Sequence, residues 1–189
     1  MRIEDQKNIA NAVMYKLEAI DPYCILAGGA PRDWYLGREA SDLDFYLCVP
    51  DRETQSAFES RLRRVGLSFD IAFKDSGLAN MEVYKNMPGI KGIYNLTGFG
   101  MPIQVMRMRD PTFKSVVHEF GTSVCMAWYK DGKVKTTKVF EWSHENKIII
   151  KKSDYNAKVK HVAKMREKFP DYRVVSGRWL NSRPVEGKF

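Results

Sequence analysis

The chain has 189 residues, 44% of them apolar and 29% charged, with a formal net charge of +8. That length and balance suit one globular domain and exclude low-complexity and collagen-like chains. No apolar run approaches the ~20 residues that cross a bilayer as a helix, and Met1-Arg2-Ile3-Glu4-Asp5-Gln6-Lys7 lacks the apolar core of a secretory leader, so a cytoplasmic protein without a membrane partner is expected.

The first periodic segment covers residues 3–20, where Ile9, Val13, Leu17 and Ile20 recur at helical spacing and predict an amphipathic helix covering a sheet. Pro22 breaks it, and residues 23–27 read as a first strand. Gly28-Gly29 then turns the chain into a short helix, with Pro31 in its first turn and Leu36-Gly37 at its end. A second strand is predicted over residues 42–49. Leu43, Phe45 and Leu47 would pack into the core while Asp42 and Asp44, spaced i, i+2, share the other face.

Pro50-Asp51 opens a further helix, with Asp51 as N-cap, Phe58, Leu62 and Val65 as its buried stripe and Gly66 as its end. Residues 67–73 read as a strand, followed by a loop rich in Ser, Gly and Asn. Residues 90–96 and 101–108 form a hairpin on Gly98-Phe99-Gly100, and 110–120 a short helix. A second hairpin, 123–129 with 134–140, turns on Lys130-Asp131-Gly132-Lys133. Residues 148–150 suit a short strand. Ser153 caps a basic helix running to Lys168, with Tyr155, Val159 and Val162 inward and Lys158, His161, Lys164 and Lys168 outward. Residues 177–189 show little periodicity. Cys24, Cys48 and Cys125 are isolated in apolar runs and read as buried free thiols of a reducing compartment; His118, His144 and His161 are too scattered to suggest a metal cluster.

The expected architecture is α/β (α+β), a mixed sheet flanked by helices, with residues 1–146 as the core and 147–189 as a basic C-terminal helix and tail packed on it. Twelve Lys or Arg against four acids lie in 147–189, so the whole net charge belongs to that quarter. Such asymmetry suits a polyanion partner, with nucleic acid the first candidate and Lys158, Lys164 and Lys168 the residues to contact it. In the first quarter of the chain, two carboxylates on one rigid face beside a glycine turn, Asp42 and Asp44, can hold divalent cations against phosphate oxygens. A helix beginning after the glycines aims its free N–H groups at the same place.

The run Gly28-Gly29-Ala30-Pro31-Arg32-Asp33-Trp34-Tyr35-Leu36-Gly37-Arg38-Glu39-Ala40-Ser41-Asp42-Leu43-Asp44 resembles a known signature. It is that of the polymerase-beta-like nucleotidyltransferases, in the branch of CCA-adding enzymes and bacterial poly(A) polymerases. That signature reads Gly-Gly-x-Val-Arg-Asp-x-x-Leu-Gly-Arg-x-x-x-Asp-x-Asp, and only Pro31 departs from it.

The resemblance implies attack of an acceptor hydroxyl on the α-phosphate of a nucleoside triphosphate, with two Mg²⁺ ions held by Asp42 and Asp44. Gly28 and Gly29 would let backbone approach the triphosphate, Arg32 and Arg38 would contact phosphate or ribose, and Asp33 would anchor the loop. The fold's third carboxylate would fall where Gln104 stands; Asp70, Asp110 and Glu119 are other candidates, and a weaker second metal or binding without turnover stay open. The base-reading segment and helical tail domains of CCA-adding enzymes are absent from this sequence, so the resemblance points to a compact nucleotidyltransferase of phage or bacterial type. RNA, the tRNA 3′ end included, is the expected acceptor. The alternatives are a protein or small-molecule hydroxyl, or a catalytically weak nucleotide- or nucleic-acid-binding regulator with a protein partner.

Overall fold

A computed structural model describes residues 1–50, 52–74, 89–108, 113–118, 120–151 and 159–177. Helix α1 (Ile3–Glu18) leads into β1 (Ile25–Ala27), α2 (Gly29–Tyr35) and β2 (Leu43–Cys48). Then come α3 (Gln55–Arg64), β3 (Phe69–Lys74), β4 (Ile90–Leu96), β5 (Ile103–Met108) and α4 (Phe113–His118). A 3₁₀ turn (Ser123–Cys125) precedes β6 (Ala127–Lys130), β7 (Lys133–Thr136) and α5 (Lys138–Glu145). The described elements end with β8 (Ile148–Lys151), α6 (Val159–Lys168) and β9 (Arg173–Ser176).

Seven strands form one mixed sheet in the order β3-β4-β5-β2-β1-β6-β7. Among the described strands of this sheet only β2 and β5 pair in parallel; the other neighbours are antiparallel. The alternation along β2 divides its side chains. Leu43, Phe45 and Leu47 are fully buried in a cluster with Val13 and Leu17 of α1 and Phe58 and Leu62 of α3. Tyr46 looks the other way, into a cluster with Ile93, Met106 and Val116 and Val117 of α4. Burying each large apolar side chain contributes roughly 1.5–3 kcal/mol, so β2, packed on both faces, is a rigid carrier for whatever its end presents.

The expected elements recur with local differences. Helix α3 begins at Gln55 because the Thr54 side chain accepts from Ala57 N at 3.2 Å, the N-cap role expected of Asp51, which lies outside the described residues. The stretch expected as a strand over 134–140 divides at Thr137, whose hydroxyl accepts from Phe140 N at 3.2 Å and starts α5. Val139, Phe140 and Ser143 are its buried face, at helical spacing. The β6–β7 turn behaves as read: Asp131 and Gly132 take φ of 54° and 71°, the left-handed pair a two-residue hairpin loop needs.

Strand β9, in the stretch after Pro170 where no element was expected, pairs in parallel with β8. Around it Val124, Cys125, Ile149, Met165 and Phe169 form a separate apolar cluster. On α6 Met165 is turned inward, 2% exposed, and Val162 is half-buried; the side chain of Val159 lies outside the described residues. Ser153, Tyr155 and Lys158 lie outside the described residues. None of the three cysteines is in a disulfide. Among the described residues no helix is long and apolar enough to cross a membrane.

Candidate active site

Strand β2 starts directly after Asp42 and contains Asp44, so the i, i+2 spacing places both on one face. Register then extends that face sideways. Asp44 stands opposite Gln104 in the parallel β2–β5 pair, Gln104 opposite Asn95 in β4, and Asn95 opposite Asp70 in β3. One polar row thus crosses four strands. Gln104 Nε2 donates to Asn95 Oδ1 at 2.9 Å, and Asp42 Oδ1 accepts from Ser41 Oγ at 2.8 Å. Beside the row lies a cleft of about 480 Å³ lined by Asp42, Asn95, Leu96, Pro102, Ile103 and Gln104.

Burial pushes the Asp44 carboxyl up to about 7, helped by the charge of Asp42 and opposed by that of Lys164. The third position beside this strand is held by an amide. Asp70 is on the same row, in the edge strand and exposed, while Asp110 and Glu119 lie outside the described residues. Among the described residues no group of three or more His, Cys, Asp or Glu is arranged to hold a metal ion.

The two glycines have different roles. Gly28 takes φ 92° and ψ −118°, a conformation only glycine adopts freely, and its N–H donates to Ala127 O at 3.0 Å. Gly29 opens α2, and a Cβ there would meet only the Arg32 guanidinium at 3.8 Å. The other end of α2 closes with Gly37 at φ 68°, Gly37 N donating to Trp34 O at 3.1 Å and Arg38 N to Asp33 O at 2.7 Å, a Schellman motif.

The arginines of the motif separate as well. Arg32 is 3% exposed. Its Nε and Nη2 donate to the Asp33 carboxylate at 2.8 and 3.1 Å, and Nη1 reaches Cys125 Sγ at 3.3 Å and Met165 Sδ at 3.5 Å. The side chain expected at a phosphate is thus enclosed in an interior network. Arg38 is exposed, lies over the Phe169 ring and donates to Lys168 O at 3.2 Å. Lys168, expected to face solvent, instead places Nζ 2.5 Å from Asp33 Oδ2, because the buried carboxylate draws it in. Lys164, one turn earlier on α6, is exposed and is the basic-helix residue whose charge Asp44 feels.

Sequence reasoning missed Asn95 and Met165, and it found Cys125 as a buried free thiol without its partners. Burial pushes the Cys125 thiol up, but a hydrogen bond from His161 and the Arg32 charge outweigh it and bring it to about 7. No local signal marks what these three do, since each acquires its role from a partner distant in the chain.

No protein-family profile and no curated protein matches the sequence. Solved structures do. A CCA-adding enzyme in apo form is 14% identical over 91% of this chain and 40% of its own, with a TM-score of 0.61. The Thermotoga maritima CCA-adding enzyme complexed with tRNA is 15% identical over 89% of this chain and 39% of its own, at 0.60. An apo tRNA-processing enzyme is 14% identical over 89% and 44%, at 0.59. The chain therefore spans less than half the length of each of these proteins. What they share with it is the polymerase-beta-like nucleotidyltransferase fold.

Proposed function

We propose that this chain, on that fold, moves a nucleoside monophosphate from a nucleoside triphosphate to a hydroxyl of RNA, with Asp42 and Asp44 as its acidic centre. The observation that carries the reading is the pairing of Asp42 and Asp44 on one face of a strand packed on both sides, beside an open cleft. The donor set there is all oxygen: two carboxylates and the Gln104 amide. The Asp44 carboxyl, desolvated and beside a like charge, is one that a bound cation would hold ionised. These residues fit Mg²⁺, with Asp42 and Asp44 holding it; when bound it supplies Lewis-acid polarisation of phosphate oxygens.

The chain's own residues do the rest. Gly28 bends the backbone between β1 and α2, and Asp33 with Arg32 holds α2 from within. In the reaction the acceptor oxygen forms a bond to the α-phosphorus, the bond to the bridging α–β oxygen breaks, and pyrophosphate leaves while the hydroxyl proton passes to solvent. Lys164 supplies positive charge beside the acidic pair for a phosphate of the nucleotide or the acceptor. RNA as acceptor is supported by the charge concentrated in 147–189 and by the tRNA complex of a similar structure.

Gln104, a neutral group beside Asp44, favours one second reading, a protein that binds nucleotide without turnover. The test is incubation with Mg²⁺, a mixed RNA and protein extract and each α-labelled nucleoside triphosphate, beside the Asp42→Ala/Asp44→Ala variant. Label in RNA with the wild type alone is expected. Label in protein or in a small molecule changes the acceptor, and nucleotide binding without label above the variant favours the second reading.

A further inference from the structure

The cross-strand row bears on how many cations this centre takes, an inference that rests on the reading of Asp42 and Asp44 as cation ligands. Side chains able to join them must come from neighbouring strands at the same level. On the β5 side that level is Gln104, in register with Asp44. Its side chain is neutral and is already tied to a second neutral amide, Gln104 Nε2 donating to Asn95 Oδ1 at 2.9 Å.

The next acid along the row is Asp70, opposite Asn95. Three strand spacings separate it from Asp44, roughly 14 Å, and two separate it from Gln104, roughly 10 Å. Ligand oxygens lie about 2.0–2.1 Å from Mg²⁺, so Asp70 cannot share an ion with Asp44. Lys164 adds a positive charge near the same carboxylate. Among the described residues a second cation would therefore have one amide oxygen as its added protein ligand. Mg²⁺ surrenders its water reluctantly and chiefly to carboxylates and phosphates, so that exchange is poor.

We infer that Asp42 and Asp44 hold one divalent cation, and that the Gln104–Asn95 amide pair replaces the protein ligands of a second. The Asn95 partner matters because it ties down the Gln104 amide. A carboxylate at 104 would add the missing charge within reach of Asp44.

Counting ions directly tests this. Crystals of the full chain would be soaked in Mn²⁺ with a non-hydrolysable ATP analogue, and anomalous peaks counted at Asp42, Asp44 and position 104. One peak is expected in the wild type and two in Gln104→Asp. Two peaks in the wild type overturn the inference and leave the cation reading of Asp42 and Asp44 standing. No peak in the wild type, matching Asp42→Asn/Asp44→Asn, overturns the cation reading and the inference with it. If Gln104→Asp does not fold, Gln104→Glu serves as the second variant, and the wild-type count decides by itself.

Discussion

Lys168 Nζ lies 2.5 Å from Asp33 Oδ2, joining the last turn of the basic helix to the middle of the glycine-motif helix across 135 positions of chain. The same carboxylate takes both Nε and Nη2 of Arg32, so one buried acid serves two cations. Asp33 is thereby the fastening between the glycine motif and the C-terminal quarter.

Asp33→Ala leaves Arg32 buried without a counter-charge and is expected to cost about 3–5 kcal/mol. Lys168→Ala keeps the Arg32–Asp33 pair and is expected to cost less, about 1.5–3 kcal/mol for a charged hydrogen bond. Urea denaturation of both variants checks the order, and equal losses would contradict it.

The two motif glycines separate stability from chemistry. Gly28→Ala forces a side chain into φ 92° with the Phe120 ring 3.6 Å from its Cβ, and is expected to destabilise by about 1–3 kcal/mol. Gly29→Ala meets only ordinary contact and is expected to leave the thermal midpoint close to wild type. Any loss it causes in nucleotide binding would then report crowding at the ligand.

Asp44 ties stability to pH. Its carboxyl is pushed up to about 7 from 3.8, chiefly by burial, so the folded state holds the proton more tightly than the unfolded one. The stability this adds is complete below pH 3.8 and is lost as pH rises towards 7. Asp44→Asn, measured by thermal denaturation without divalent cations, is expected to lack that decline and to abolish transfer.

His144 acts in the opposite sense. Burial holds its imidazole down to about 4 from 6.5, and its Nδ1 lies 2.9 Å from the Tyr172 hydroxyl. The unfolded chain binds the extra proton between those values, so stability falls as pH drops from 6.5 to 4. His144→Gln is expected to flatten the thermal midpoint over that window.

Lys164 and Lys168 are expected to differ in RNA binding. Lys164→Ala, at an exposed position, should weaken binding to single-stranded RNA and lower the slope against log salt by about 0.7. Lys168→Ala should change that slope less, because its ammonium is engaged by Asp33. Filter binding at several salt concentrations distinguishes them.

What the sequence determined by itself is local in origin. The period-two spacing of Asp42 and Asp44 set their shared face, Gly37 marked the end of α2, Asp131-Gly132 marked the β6–β7 turn, and Val13, Leu17, Phe58 and Leu62 marked the covering helices. Each follows from backbone geometry within a few residues. The helix α5 was hidden because Val139 and Phe140 suit either element until Thr137 caps one of them. The rest belongs to tertiary structure. The family resemblance pointed to position 104, but only strand register paired Gln104 with Asn95 beside Asp44, and packing alone turned Arg32 into the interior against Cys125 and Met165 and drew Lys168 to Asp33. Those partners lie 9 to 135 positions apart, a separation at which no periodicity links them, and only the closing of the sheet and the docking of α6 bring them within hydrogen-bond distance.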